Sequence, residues 1–187
     1  RKFGRSIFIE DAEGMYSMCQ YYLSPAPTRD QTLTAQAIVS LQDFITRYPN
    51  STRVTAFNEL IEELTVRLHD KNFINAYTYY KILRYDSAIV AFRNALKKYP
   101  DSHRREDIMY YIAMSAYKFA DNSVASKQAD RFMDMLDSYY SFVMEYPESK
   151  YREELDKAAE VAKRYIEKRK ADEAPAASAE ATAAESK

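Results

Sequence analysis

Four side chains in this sequence are of the types that most often carry catalysis or bind metals: Cys19, His69, Asp70 and His103. His69 next to Asp70 has the form of a proton relay or a metal-binding pair. Neither histidine has a motif around it, however, and we interpret His69 as an exposed helix histidine. Cys19 has no His or basic neighbour that would lower the pKa of its thiol, which favours a buried thiol over a nucleophile. We therefore expect a protein that is not an enzyme, with no cofactor and no metal.

The clustered carboxylates have an equally ordinary interpretation. Glu59, Glu62 and Glu63 form one group, and Glu153 with Glu154 forms another. Helical spacing places such groups on a solvated face, where Arg or Lys residues nearby can pair with them. We expect surface charges and not a convergent acid and base pair.

Composition excludes several classes of protein. The chain has only two glycines and six prolines in 187 residues, too few for the tight turns of an all-β fold. Its formal net charge is −1, and no long basic run indicates nucleic acid as a partner. A single cysteine excludes an intramolecular disulfide and a CxxC metal site. The sequence also lacks an uninterrupted apolar run of about 18 residues, so it predicts no membrane span.

Apolar residues recur at helical spacing along the chain up to about Lys170. The predicted helices cover about 7–23, 32–48, 51–83, 85–98, 104–120, 127–145 and 151–170. Because 51–83 contains no glycine or proline, we favour one continuous helix of roughly 50 Å over a break near His69. In the first helix we expect one face to be buried, made of Phe8, Ala12, Met15, Cys19 and Tyr22.

A repeated corner divides the chain. Tyr-Pro-x-Ser occurs at Tyr48, Tyr99 and Tyr146, each time closing an amphipathic helix, at intervals of about 50 residues. We infer a repeat domain over 1–171, with units of about 7–49, 51–100 and 103–147 and a capping helix at 149–170. The remaining 172–187 has no large apolar residue to offset the entropy of ordering, and we expect it to be disordered.

The second unit has a distinctive register. Residues at the spacings of a tetratricopeptide repeat, a unit of about 34 residues made of two antiparallel helices, are Ala76, Tyr79, Ala88, Phe92, Ala95 and Pro100. Ala76 and Ala88 are small where helix backbones must approach, and Pro100 ends the unit. The resemblance implies an all-α fold: a tetratricopeptide-like helical-hairpin solenoid with lengthened helices and a C-terminal capping helix.

In such repeats the first helix lines a concave surface that binds partners. The register assigns this surface to Asp70, Phe73, Ile74, Tyr77, Tyr80 and Lys81. Adaptors that clamp a carboxylate have Lys, Asn and Arg at these positions, and those residues are mostly absent here. We take Phe73, Tyr77, Tyr80 and Lys81 as candidate partner-binding residues, since tyrosine offers a large contact area at small entropy cost. The alternative is that these side chains pack against a neighbouring helix.

Two loops resemble a narrower family. The runs 22–32, with Ser-Pro-Ala-Pro, and 142–151, with Glu-Tyr-Pro-Glu-Ser-Lys, are similar to the BamD lipoproteins of Bacteroidetes-type bacteria. These belong to the machinery that assembles outer-membrane β-barrels, and the resemblance covers about 6–170.

The resemblance implies a non-catalytic scaffold at the periplasmic face of the outer membrane of a Gram-negative bacterium. Its membrane contact would be a lipid anchor on a cysteine upstream of Arg1, so we expect the true N-terminus to be missing. The implied partners are the POTRA domains of the BamA-type barrel subunit, other subunits of the machinery and unfolded outer-membrane protein segments, with docking on the barrel subunit as the main role. An alternative is another periplasmic tetratricopeptide adaptor that coordinates envelope or cell-wall synthesis.

Overall fold

The structure is a computed structural model that describes residues 6–184, with side chains as far as Asp172. Within this part the chain forms seven α-helices and no strand. They are α1 Ile9–Leu23, α2 Thr32–Arg47, α3 Val54–Lys81, α4 Tyr85–Lys98, α5 Arg105–Asp121, α6 Ala125–Glu145 and α7 Arg152–Ala184. The predicted all-α fold class is confirmed, and the succession of helical hairpins is consistent with a solenoid.

The chain divides into two compact units. The first takes the chain up to Asn75 together with Asp101–Arg104, and the second takes Ala76–Pro100 and the chain from Arg105 onward. The helix α3 contributes residues to both units. It is one helix of 28 residues, which confirms the prediction of continuity.

The core of the first unit lies where α2 meets the beginning of α3. The spacing of Ala37, Leu41, Phe44 and Tyr48 predicts the buried face of α2. The first three are buried and pack against Phe57 and Leu64 of α3, whereas Tyr48 is only partly buried. The rings of Phe44 and Phe57 lie 4.8 Å apart between centroids. Large apolar groups at these positions therefore hold the first unit together.

The buried face of α1 is not the predicted one. All five residues expected on it are exposed, including Phe8 and Met15 at 67% and Tyr22 at 75%. The expectation of a buried thiol is wrong as well, because Cys19 is exposed.

Small residues explain how α1 packs instead. Ser17 is buried, and its hydroxyl donates to the carbonyl oxygen of Ser40 at 3.1 Å. Gly14 is also buried, and a Cβ atom there would meet the guanidinium of Arg53 at 2.2 Å. The helix thus approaches its neighbours through Gly14 and Ser17, a contact that hydrophobic periodicity does not reveal.

The second unit is organised around α5, which packs against α4, α6 and α7. Its residues are buried on several sides, as its two apolar faces predict: Ile108, Tyr110, Ile112, Ala113, Met114, Ser115, Ala116 and Ala120. The facing residues of α6 are Phe132, Met135, Tyr139 and Phe142. Spacings of four and three predict a stripe of Phe132, Leu136, Tyr139, Val143 and Tyr146 on this helix. Leu136 and Val143 are only partly buried, and Met135 and Phe142 are core residues instead.

The three Tyr-Pro-x-Ser sequences form the same corner. In each, the tyrosine N–H donates the last helical hydrogen bond, at 2.8 to 3.0 Å, to the carbonyl four residues earlier. In each, the serine Oγ then accepts the N–H two residues later; these pairs are Ser51 with Arg53 at 3.3 Å, Ser102 with Arg104 at 3.2 Å and Ser149 with Tyr151 at 3.1 Å. The repetition therefore has a structural cause, since one motif ends a helix and caps the start of the next.

Two residues after the serine of each corner, a side chain binds an aspartate of an earlier helix. Arg53 binds Asp11 at 2.8 Å and Arg104 binds Asp70 at 2.9 Å, both within the first unit. In the second unit the Tyr151 hydroxyl donates to Asp107 at 2.7 Å. Each link joins the start of one helix to an earlier helix, so the corner sets tertiary as well as local structure.

The last helix extends beyond its predicted end. The backbone of α7 is helical as far as Ala184, past the expected end near Lys170, and alanine has the highest helix propensity. The predicted disorder of 172–187 stays a prediction, because side chains beyond Asp172 and residues 185–187 lie outside what the structure describes.

One buried polar group gives a test of the core. The Ser115 hydroxyl is completely buried and has no hydrogen-bond partner within the described part of the chain. Because an unsatisfied buried hydroxyl destabilises a fold, we expect Ser115→Ala to raise the free energy of unfolding by about 1 kcal/mol. Urea denaturation measures this. The control is Ser141→Ala, an exposed position on α6, where a change within about 0.5 kcal/mol is expected. A loss of stability in Ser115→Ala would contradict the packing described here.

Candidate interaction surface

Five tyrosines of the second unit are joined by ring contacts, and we name them the tyrosine ladder: Tyr77, Tyr80, Tyr110, Tyr111 and Tyr151. Tyr80 and Tyr77 of α3 lie 5.1 and 5.0 Å from Tyr111 of α5 between ring centroids. Tyr111 lies 4.9 Å from Tyr110, which stacks on Tyr151 at 4.0 Å. The ladder thus runs from α3 across α5 to the start of α7.

Local sequence explains how the ladder forms. Tyr77 and Tyr80 are three residues apart near the end of α3 and so share a face. Tyr110 and Tyr111 are adjacent on α5 and point in different directions, with Tyr110 only 7% exposed. Phe92 of α4 stacks on Tyr111 at 5.6 Å, which holds that ring between two helices.

Carboxylates hold two of the ladder's hydroxyls. Tyr110 donates to Glu154 at 2.8 Å, and Tyr151 donates to Asp107 at 2.7 Å. These bonds run in opposite directions between α5 and the beginning of α7, so they fix both rings. The Tyr80 hydroxyl makes no hydrogen bond within the residues that the structure describes, which leaves it available to a partner.

Three of the four predicted partner-binding residues, Tyr77, Tyr80 and Lys81, lie close together within the second unit. Tyr77 and Tyr80 are half-buried members of the ladder, and the exposed Lys81 has its ammonium 5.7 Å from the ring centroid of Tyr77. Phe73 belongs to the first unit, where the guanidinium of Arg104 lies 5.2 Å from its ring centroid. That these residues bind a partner stays a prediction.

Sequence reasoning missed the other part of the ladder, namely Tyr110, Tyr111 and Tyr151. A signal was present, because two adjacent tyrosines on a helix with two apolar faces place one ring on each face. Tyr151 gave a second signal, since it follows a Tyr-Pro-x-Ser corner where Arg53 and Arg104 occupy the equivalent position.

A family model described as the tetratricopeptide repeat matches residues 16–51 and 76–102. The first segment contains α2 and most of α1, and the second contains α4 and the end of α3. The match supports a tetratricopeptide-repeat protein. A search of curated proteins found no match to this chain.

The burial of the second segment agrees with a tetratricopeptide repeat. The residues expected at helix crossings are at most 4% exposed: Ala76, Ala88, Phe92 and Ala95. Tyr79 departs from the pattern, because it is 44% exposed where we expected a packing aromatic. Folds of this kind are typical of non-enzymatic scaffolds that mediate protein–protein interactions.

Both histidines lie in the first unit, among side chains that link α3 to the Ser102 corner. His69 is half-buried, which corrects the expectation of an exposed side chain, and its ring lies 6.0 Å from that of His103. Asp70 instead contacts His103 at 3.2 Å and Arg104 at 2.9 Å. Burial, with a smaller effect from His103, lowers the pKa of His69. Asp70 thus anchors the Ser102 corner.

Two further observations concern the described residues alone. No group of three His, Cys, Asp or Glu side chains among them is arranged to hold a metal ion. None of the helices they form combines the length and apolar character that crossing a membrane would need.

Four tyrosines of the ladder, Tyr80, Tyr110, Tyr111 and Tyr151, have a raised pKa. Burial raises the pKa of Tyr110 and Tyr111 well above the ordinary value for tyrosine, and hydrogen bonds with Glu154 and Tyr77 respectively raise these pKa values further. Burial also raises the pKa of Tyr80 and Tyr151. The surface therefore offers aromatic area and neutral hydroxyls, and none of these phenols is a nucleophile at neutral pH.

These pKa shifts predict a loss of stability in alkali. The unfolded chain releases its tyrosine protons near pH 10 while folded Tyr110 retains its own, so stability is full below about pH 10 and falls as the pH rises further. We expect Tyr110→Phe to be less stable at neutral pH, by about 1 kcal/mol, and to show a shallower alkaline decline. Urea midpoints from neutral pH to about pH 11 measure both effects.

The matched control for this experiment is Tyr22→Phe, because Tyr22 is 75% exposed. That variant should follow the parent protein at every pH. An alkaline decline in Tyr110→Phe as steep as in the parent would show that Tyr110 does not contribute to it.

Proposed function

We propose that this chain is a non-catalytic scaffold subunit of the outer-membrane protein assembly machinery, and that it docks on the POTRA domains of the BamA-type barrel subunit. The observation that carries the proposal is the tyrosine ladder, in which Tyr77, Tyr80, Tyr111 and Tyr151 are half-buried and Tyr110 is buried, on a tetratricopeptide-repeat frame. Lipid anchoring at the periplasmic face of the outer membrane is part of the same proposal.

The ladder has the physical properties of a docking surface. Its rings are fixed before binding, because α5 and α7 exchange hydrogen bonds through Tyr110 and Tyr151. A partner that covers it therefore orders few side chains, which reduces the entropy cost of association. Tyr80 supplies a hydroxyl that has no hydrogen-bond partner among the described residues, and Lys81 supplies a cation at the edge of the ladder. Polar groups at these two positions would fix the orientation of a partner on the aromatic rings.

The resemblance of the loops supports the choice of partner. The 22–32 loop is a defined structure in which the buried Gln31 amide donates to the carbonyl oxygen of Ala26 at 2.8 Å. Thr34, also buried, donates to Gln31 at 2.7 Å and hydrogen-bonds Ser24 at the same distance. Ser24 and Gln31 belong to the run that carries the resemblance, so the conformation of this loop depends on residues of that run.

Capture of the barrel subunit tests the proposal. We expect the tagged protein to retain the BamA-type subunit from detergent-solubilised membranes, and we expect Tyr77→Ala combined with Tyr80→Ala to reduce the amount by about tenfold. Mass spectrometry of the captured proteins is the measurement. Tyr140→Ala, at an exposed tyrosine of α6 in the same unit, is the control and should retain the subunit fully.

The thermal unfolding of the double variant decides what a change in capture means. If the double variant unfolds like the parent and still captures the subunit, the ladder is only packing between helices. Capture of a different envelope complex by the parent protein, without the barrel subunit, would favour the other periplasmic adaptor.

A second experiment separates a scaffold from an enzyme. Cys19→Ser and His69→Ala remove the side chains that an enzyme mechanism would use, and neither belongs to the ladder. We expect both variants to support growth and outer-membrane protein levels like the parent when they replace the chromosomal copy. Loss of function in a variant that remains folded would overturn the scaffold interpretation.

A further inference from the structure

The corner between α3 and α4 has an unusual backbone. After α3 ends at Lys81, the Leu83 N–H donates to the carbonyl of Tyr80 at 3.0 Å, and the Arg84 N–H donates to that of Tyr79 at 2.9 Å. This is the Schellman arrangement, in which the residue at the position of Leu83 adopts a left-handed conformation. Leu83 has φ of 62°. Glycine or asparagine normally occupies this position, because a larger side chain is strained there.

The fold gains little from having leucine at this position. The Leu83 side chain is 68% exposed, so burial does not offset the backbone strain. Non-glycine residues held in a left-handed backbone conformation cluster at functional sites. A leucine that is both strained and exposed therefore points to a role outside the core.

Other apolar side chains adjoin Leu83, and we name the set the corner patch: Tyr79, Ile82, Leu83 and Val90. They are between 44% and 68% exposed. Beside them runs a groove of about 420 Å³ along the end of α3 and the start of α4, lined by Tyr79, Asp86, Ser87, Val90, Ala91 and Asn94. The corner thus combines a projecting apolar pair with a groove whose lining is mostly apolar and also includes the polar side chains of Asp86, Ser87 and Asn94.

The corner carries two cations, Lys81 and Arg84, and one carboxylate, Asp86, so its net charge is positive. Lys81 and Arg84 flank the apolar pair, both are exposed, and neither forms an ion pair within the described part of the chain. A surface that covers Ile82 and Leu83 would bring its own charged groups close to these two cations. Carboxylates there would be attracted and basic groups repelled.

We propose that the corner patch docks an amphipathic helical segment of a partner protein, with apolar side chains against Ile82 and Leu83 and carboxylates against Lys81 and Arg84. The groove favours a protein over a lipid surface, because its Asp86, Ser87 and Asn94 side chains need polar partners that hydrocarbon lacks. This inference goes beyond the proposed function, since the corner patch and the tyrosine ladder are different surfaces that share only the edge residue Lys81.

A defined peptide tests the inference. The probe is a fluorescently labelled helical peptide of about 18 residues with leucines on one face and glutamates on the other, and its partner peptide has lysines in place of the glutamates. We expect the acidic peptide to bind the full chain and the basic peptide to bind more weakly. Fluorescence anisotropy gives the dissociation constants.

Substitution at Leu83 separates binding from folding. Leu83→Gly and Leu83→Asn both fit the left-handed backbone, so their thermal midpoints should equal or exceed that of the parent. Both should weaken binding of the acidic peptide by about tenfold or more, and Arg84→Glu should also weaken it. The control is Val124→Asn, which changes another exposed apolar residue of the second unit and should bind like the parent.

Several results would overturn the inference. Unchanged peptide binding in Leu83→Gly, or a preference for the basic peptide, would remove the basis of the proposal. A clear fall in the thermal midpoint of Leu83→Gly would show that the leucine serves the fold. If the parent binds neither peptide, two other occupants remain to be tested. Loss of binding to anionic phospholipid vesicles in Leu83→Gly would identify a lipid surface as the occupant. Loss of self-association in sedimentation would identify a second copy of the chain.

Discussion

The polar links between helices that belong to successive hairpins are the constraint on which the rest of the structure depends. Four of them have nearly the same sequence separation: 42 residues for Arg53 with Asp11, 43 for Arg67 with Ser24, and 44 for both Tyr110 with Glu154 and Tyr151 with Asp107. The link between Arg104 and Asp70 is shorter, at 34 residues. Apolar helix faces can slide past one another with little cost, whereas a hydroxyl or guanidinium that must reach one carboxylate cannot. These links therefore set the register of packing more than they add to stability, since exposed ion pairs contribute little.

The sequence predicted those elements whose burial follows hydrophobic periodicity. The α2 stripe of Ala37, Leu41 and Phe44 is a clear case, and the limits of α4 are another. Prediction failed at α1, where Gly14 and Ser17 make the contact and the large apolar residues face outward. Periodicity assumes that the largest apolar groups are buried, but a close helix crossing selects the smallest residues instead.

The same limit applied to the candidate site. Tyr77 and Tyr80 could be found because the repeat register marks the end of a first helix. Tyr110, Tyr111 and Tyr151 join them only through the packing of α5 against its neighbours, and no single stretch of sequence contains that information. The strain at Leu83 was also hidden, because the predicted helix 51–83 includes this residue and only the backbone shows that α3 ends at Lys81.

The tyrosine ladder has a consequence for how complexes of this protein can be observed. The chain contains 17 tyrosines and no tryptophan, so its intrinsic emission comes from phenol rings alone. Excitation at wavelengths that only indole absorbs will therefore produce no emission from this chain. Any tryptophan emission from a purified complex will come from the partner. A partner indole placed on the ladder would also accept excitation energy from five closely spaced donors. Docking there would therefore be visible, without a label, as tyrosine emission replaced by tryptophan emission.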